Sequence, residues 1–189
     1  MIWESYYWKI ELQKIAKQLE RRKRQTKWYD ASFANVEKEI MLSAFMVRKL
    51  FDSDKIDKRI DDKEIDIVIY KSNGKKINRL KTHHPEQYFV LKKPIKSKMK
   101  VRDICNQIIH SYIFTLVYNE ANKFESIFVA SDYKKFRYLV ELTITKYISI
   151  INKVSNYKER SVSYIFDDRI NDYIVTHNIK SSTNKKYKT

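Results

Sequence analysis

The fold prediction depends most on the stretch Val101-Arg102-Asp103-Ile104-Cys105-Asn106-Gln107-Ile108-Ile109-His110-Ser111-Tyr112. A helix over about 100–111 would place Arg102, Asn106 and His110 at positions i, i+4 and i+8, one above another on a single face. The isoleucines of the same segment point elsewhere and are expected to be buried. The pattern therefore predicts a helix with a polar line beside an apolar face.

Three further helices are predicted from apolar residues at helical spacing, over 3–27, 32–53 and 133–154. Alternating polar and apolar residues predict one β-hairpin over 64–80 and a second over 112–130. Together these elements predict a mainly α protein, a four-helix bundle with small β-hairpin insertions before and after the third helix.

The composition excludes several classes of protein. Gly74 is the only glycine, so neither a P-loop nor the glycine-rich turn of a dinucleotide-binding domain can be present. Cys105 is the only cysteine and is expected to be a small buried apolar residue. His83 and His84 are adjacent, and no carboxylate stands at a metal-ligand spacing from them. No metal site and no cofactor are therefore predicted.

The organisation of the chain is expected to be simple. One helical domain is predicted over 1–175, with a weak element around 164–174, and a basic disordered tail over 176–189. The N-terminus does not have the pattern of a signal peptide, and no apolar run reaches the length of about 18 residues that a membrane span requires. A cytoplasmic protein that does not enter membranes is the expectation.

The net charge is +16, and its distribution along the chain is uneven. Between Lys71 and Arg102 there are eleven basic residues and the single acid Glu86, which gives that segment a charge of +10. Such a field attracts polyanions, of which nucleic acid is the usual one. A solvated basic loop beside an acidic protein is the alternative. The candidate nucleic-acid-binding residues are Arg48, Lys92, Lys93, Lys96, Lys98 and Lys100.

The polar line of the third helix has the residue types that a phosphate-handling site uses. Arg102 offers a fixed cationic fork, Asn106 a neutral donor and acceptor, and His110 a proton carrier near neutral pH. The alternative is that these three side chains only stabilise the helix.

The segment from Asn106 to His110, on the third helix of a predicted bundle, resembles the HEPN superfamily. The segment 42–50 is also similar to the second helix of HEPN-like proteins of bacterial defence and mobile elements. HEPN nucleases have an arginine directly before the asparagine, where this chain has Cys105. The nearest arginine is Arg102, with seven residues between it and His110.

The resemblance implies a metal-independent ribonuclease of a prokaryotic defence or toxin–antitoxin system. It assigns His110 the acid/base role, Arg102 the stabilisation of phosphate charge and Asn106 a positioning role, with Arg48 as a further cation. RNA is then a more natural target than DNA. The implied assembly is a homodimer, or a subunit of a larger complex.

Two alternatives remain open at this point. The first is a non-catalytic nucleic-acid-binding subunit of a defence or mobile-element complex, which needs only the basic segment. The second is a protein-interaction module in which the hairpins over 65–80 and 113–130 offer their edges for strand addition.

Overall fold

The computed structural model describes residues 2–158 and 162–177 of the chain. The chain divides into two units, Met1–Asn156 and Tyr157–Thr189. Of the described residues, 42% are helical and 28% lie in strands, so the class is α+β. The prediction of a mainly α four-helix bundle is therefore wrong, and so is the description of the protein as a helical bundle.

The first unit is built on a five-stranded antiparallel sheet. Its strands are β1 Glu64–Lys71, β2 Ile95–Lys100, β3 Ser111–Tyr118, β4 Phe124–Ser131 and β5 Tyr138–Thr143. Their order across the sheet is β2-β1-β5-β4-β3. The two predicted hairpins thus supply β1, β3 and β4 to the main sheet of the fold and are not small insertions in a bundle.

Helices cover one face of this sheet. Their bounds are α1 Ser5–Arg22, α2 Asp30–Asp52, α3 Lys58–Asp61, α4 Val101–Ile109 and α5 Ile144–Ser155. Helix α1 packs on α2 and α5, α2 packs on α4, and both α4 and α5 lie against β4. The predicted apolar stripe of α2, including Val36, Ile40 and Val47, is buried and is confirmed.

The predicted helix over 133–154 is wrong in its first half, because residues 138–143 form β5. Leu139, Val140 and Leu142 are all buried, since β5 is a central strand with both faces covered. A run of buried residues fits helical spacing as well as it fits such a strand, so the periodicity could not separate the two. The helix begins only at Ile144.

The first predicted hairpin is also wrong in its return strand. The partner of β1 is β2, with Glu64 opposite Lys100 and Ile69 opposite Ile95, and not the segment 77–80. The intervening segment 72–94 contains two short 3₁₀ helices, Arg79–Lys81 and Pro85–Gln87. Its buried side chains pack against the face of the sheet opposite the helices, in a cluster of Tyr70, Ile77, Tyr88, Phe89, Ile113, Ala130 and Leu139.

The second predicted hairpin is confirmed as the pair of β3 and β4. In the second unit the described residues form a two-stranded hairpin, β6 Val162–Asp167 and β7 Asp172–His177, where a weak element was expected. Its Phe166 and Tyr173 rings lie 5.1 Å apart, edge to face. Of the predicted disordered tail, residues 178–189 lie outside the described part of the chain, so the division at residue 176 stays a prediction.

Candidate nucleic-acid interface

The antiparallel topology gathers several connections at one end of the sheet. Lys71 at the end of β1 is opposite Tyr138 at the start of β5, and Ser131 at the end of β4 is opposite Ser111 at the start of β3. Strand β2 also begins at this end. The 72–94 segment, the β4–β5 loop and the α4–β3 junction therefore lie together, and we call this region the basic end.

The basic end has a strong excess of positive charge. Ten cationic side chains stand there against two acidic ones, Glu86 and Asp132. Both acids are already engaged locally, Glu86 with His84 and Asp132 with Lys135. The cations are Lys71, Lys75, Lys76, Arg79, Lys81, Lys92, Lys93, Lys134, Lys135 and Arg137.

The β4–β5 loop, residues 132–137, is held by main-chain hydrogen bonds. The amides of Lys134 and Lys135 both donate to the Ser131 carbonyl, and those of Arg137 and Tyr138 donate to the Lys134 carbonyl. The loop is also tied to its neighbours, because the Ser72 amide donates to the Arg137 carbonyl at 3.0 Å. The loop therefore has a defined conformation that fixes where its side chains leave the backbone.

Cations and aromatic rings alternate along this loop. The Lys135 ammonium lies 3.8 Å from the centre of the Tyr112 ring and 5.2 Å from that of Phe136. The Lys134 ammonium and the Arg137 guanidinium lie 5.1 Å and 5.3 Å from the centre of the Tyr133 ring. These distances are within the range of cation–π attraction, which orients the cations without neutralising them.

His110 belongs to the basic end. It is the residue that follows the last turn of α4, and its side chain is exposed. Its carbonyl accepts a hydrogen bond of 3.0 Å from the Asp132 amide, which joins the end of α4 to the β4–β5 loop. The imidazole is therefore available to a ligand of the basic end.

Arg102 has a different environment at the opposite end of α4. Its guanidinium donates to Asp61 through Nε at 2.6 Å and to Asp52 through Nη1 at 2.9 Å. Asp61 is only 5% exposed, so this pair lies largely out of water. Two carboxylates neutralise Arg102 and occupy its donors, which leaves it poorly placed to bind a phosphate.

Arg48 and Asn106 belong to the same network as Arg102. The Arg48 guanidinium donates to the Asn106 side-chain oxygen at 3.1 Å and to Asp52 at 3.1 Å. The carboxylate partner of Arg48 is Asp52, four residues further along α2. The network joins α2, α3 and α4, and its two cations are matched by two anions.

The three residues predicted as a catalytic group are thus divided between two surroundings. Arg102 and Asn106 share the ion-pair network, while His110 stands at the basic end. Eight residues of helical rise separate Arg102 from His110 by about 12 Å along the axis. In this conformation the Arg102 guanidinium is held by Asp52 and Asp61, so the two side chains do not form one phosphate site.

The predicted lysine strip is also divided. Lys92 and Lys93 belong to the basic end, whereas Lys96, Lys98 and Lys100 alternate along β2 at the edge of the sheet. On β1, Asp66 lies opposite Lys98 and Glu64 lies opposite Lys100. A hydrogen bond to Asp62, 2.9 Å long, raises the pKa of Lys100. Acids distant in sequence thus lower the net charge around Lys98 and Lys100, and the lysines of β2 also protect an open sheet edge.

Cys105 lies on α4 between Arg102 and His110, and its side chain faces the core. It is fully buried, and burial, followed by the charge of Asp61, raises the pKa of its thiol to about 12. A nucleophilic cysteine needs an accessible thiolate near neutral pH. The environment of Cys105 is that of a structural residue, as the sequence predicted.

The described residues also form concave surfaces outside the basic end, of which two bear on function. A groove of about 330 Å³ between α1 and α2 is lined by Trp8, Phe45 and Met46, among other residues, and is almost wholly apolar. A cleft of about 450 Å³ lies along the β2 edge, where the Lys146 ammonium donates to the Asp66 carbonyl at 2.8 Å. The lining of the groove contains aromatic rings but no cation, and the lining of the cleft contains cations but no aromatic ring.

The sequence reasoning did not identify the residues of the β4–β5 loop. The signal was present in the hexapeptide Tyr133-Lys134-Lys135-Phe136-Arg137-Tyr138, in which basic and aromatic residues are interleaved. The helix predicted over 133–154 contains this hexapeptide. The loop conformation instead exposes Tyr133 and Phe136.

No protein-family model, no curated protein and no solved structure matches this chain. The likeness to HEPN proteins thus remains a likeness of one short motif. In the described part of the chain, no three His, Cys, Asp or Glu side chains are grouped in a way that could hold a metal ion. No helix formed by residues 2–158 or 162–177 is long and apolar enough to cross a bilayer. Fold and site define an α+β protein with a basic, aromatic surface at one end of its sheet.

Proposed function

We propose that this protein binds nucleic acid through the basic end. The observation that carries the proposal is the excess of cations over carboxylates in this region. Ten cationic side chains meet two acids there, and both acids have local partners. The elevated positive potential attracts a phosphate backbone and releases its condensed counterions, which makes binding favourable and dependent on salt.

The proposal favours binding without catalysis. The residues that the HEPN likeness assigned to chemistry do not meet, and Arg102 is held by Asp52 and Asp61. His110 is close enough to the basic end to contact a bound phosphate or base. Its contribution is then one of recognition, and His110→Ala is expected to weaken binding by less than about tenfold.

The experiment compares two triple variants that lose the same charge. Lys92→Gln/Lys93→Gln/Arg137→Gln changes the basic end, and Lys96→Gln/Lys98→Gln/Lys100→Gln changes the β2 edge. Binding of labelled RNA and DNA oligonucleotides is followed by fluorescence anisotropy between about 50 and 200 mM salt. The basic-end variant is expected to bind at least tenfold more weakly than the wild type. The slope of log K against log salt concentration is also expected to be smaller in magnitude, by about 0.7–0.9 for each phosphate contact that is lost.

The β2-edge variant is the matched control and is expected to bind within about threefold of the wild type. Circular dichroism verifies that both variants remain folded. Equal losses in the two variants would show that net charge and not the basic end governs binding. A wild type that does not bind nucleic acid at about 150 mM salt would exclude the proposed function.

A further inference from the structure

The β4–β5 loop exposes two aromatic rings that the core does not explain. Tyr133 is 74% exposed and Phe136 is 52% exposed, in a loop between two largely buried strands. The ring of Phe136 has no polar group that could bond to water. Because half of the residue is exposed, the protein forgoes part of the favourable free energy that burial of this ring would give. A cluster of exposed rings that is rimmed by polar groups is one mark of a ligand-binding surface.

The backbone holds these rings in a fixed arrangement. The amides of Lys135 and Arg137 make helix-like hydrogen bonds to the carbonyls of Ser131 and Lys134. In a helical turn, residues three apart lie on one side, and this is the spacing of Tyr133 and Phe136. Strands β4 and β5 anchor both ends of the loop, so little conformational entropy remains to be lost when a ligand binds.

Cations flank the rings without covering them. The Lys134 ammonium and the Arg137 guanidinium stay more than 5 Å from the centre of the Tyr133 ring, and three quarters of this residue remains accessible. The Lys135 ammonium lies 5.2 Å from the centre of the Phe136 ring and is also paired with Asp132. The surface therefore alternates flat apolar groups with positive charges over a few residues.

We infer that Tyr133 and Phe136 are a base-stacking platform and that the ligand of the basic end is single-stranded nucleic acid. This inference rests on the proposed function and specifies its ligand. An unpaired strand also alternates flat bases with charges, and its bases can stack on aromatic side chains. In a duplex the base faces are stacked on each other and cannot reach the rings. Stacking accepts every base, so little dependence on sequence is expected.

The test measures binding of single-stranded and duplex oligonucleotides of equal length, both as RNA and as DNA, by fluorescence anisotropy. The proteins are the wild type, Tyr133→Leu, Phe136→Leu and the double variant, with Tyr6→Leu on α1 as a matched control because Tyr6 is also largely exposed. Leucine keeps an apolar side chain but removes the ring. Each loop variant is expected to bind single strands at least fivefold more weakly, while Tyr6→Leu binds normally.

The salt slope separates the stacking platform from the phosphate contacts. The leucine variants keep every cation, so their salt slope is expected to match that of the wild type. A Tyr133→Trp variant is expected to lose indole fluorescence on binding single strands, because a stacked base quenches it. Duplex binding as tight as single-strand binding, or loop variants that bind normally, would overturn the stacking inference and leave the proposed function standing. Absence of all binding would remove the proposed function itself.

Discussion

Arg102 donates from Nε to Oδ2 of Asp61 at 2.6 Å, and this ion pair joins α4 to α3 at the end of the helix opposite His110. Asp61 is 5% exposed, and its Oδ1 has no hydrogen-bond partner among the described residues. This ion pair gives Arg102 a role in the fold. Without Arg102, the buried carboxylate of Asp61 would lose the cation that it pairs with.

Replacing Arg102 with alanine is therefore expected to reduce stability and not binding. Removal of one partner of a buried ion pair costs about 3–5 kcal/mol, and the partial exposure of Arg102 reduces this to about 2 kcal/mol. Urea unfolding followed by circular dichroism measures the loss. The double variant Arg102→Ala/Asp61→Asn is expected to recover part of it, because the remaining side chain is then neutral.

Oligonucleotide binding by folded Arg102→Ala protein distinguishes the two roles of this residue. We expect an affinity within about twofold of the wild type, measured at a temperature where both proteins are folded. An unchanged stability together with a large loss of binding would place Arg102 in the ligand site and contradict the structural role.

Cys105 is expected to be unreactive in the native protein. Burial raises the pKa of its thiol to about 12, so almost no thiolate is present at pH 8. A disulfide reagent such as Ellman's reagent should modify it only as fast as the protein opens, and rapidly in denaturant. Fast, stoichiometric modification at low reagent concentration without denaturant would show that the thiol is accessible and would reopen a chemical role.

Glu39 makes stability depend on pH in an unusual direction for a carboxylate. Burial raises its pKa above the ordinary 4.5, although the charges of Arg22 and Lys38 partly oppose this, and its Oε2 has no hydrogen-bond partner among the described residues. The native state then binds the proton more tightly than the unfolded chain. The contribution of Glu39 to stability is most favourable below pH 4.5 and decreases as the pH rises through the raised pKa.

Glu39→Gln isolates this contribution from that of the other carboxylates. The stability difference between variant and wild type should shift in favour of the variant between about pH 4 and pH 7, because only the wild type must then hold a buried carboxylate. Thermal unfolding at a series of pH values measures it. A stability difference that is constant with pH, or that shifts in favour of the wild type as the pH rises, would contradict a raised pKa of Glu39.

The sequence predicted local elements better than their assembly. The apolar stripe of α2, the helix beginning at Val101 and the β3–β4 hairpin follow from spacing within one segment. The pairing of β1 with β2 across residues 72–94, and the central place of β5, depend on contacts between distant segments. Spacing within one segment has no information about them, which is why a bundle with hairpin insertions was predicted in place of a sheet.

The same limit applies to the site. The excess of lysine over 71–102 was visible, but the carboxylates opposite Lys98 and Lys100 come from β1. The carboxylates that hold Arg102 come from α2 and α3. His110 was recognised, yet its neighbours in space are Asp132 and the β4–β5 loop. A linear count of charge therefore grouped the lysines of the sheet edge with those of the basic end and left out the cations of the β4–β5 loop.

The central claim, that nucleic acid binds at the basic end, is tested most directly by mapping where it lies on the protein. A single-stranded oligonucleotide containing a photoreactive uracil is crosslinked to the full-length wild-type protein at about 150 mM salt, and the modified peptides are identified by mass spectrometry. Crosslinks in peptides that contain 110–112 and 133–138 are the predicted result. Crosslinks confined to the β2 edge and the Arg102 end of α4, or no specific crosslinks, would contradict the claim.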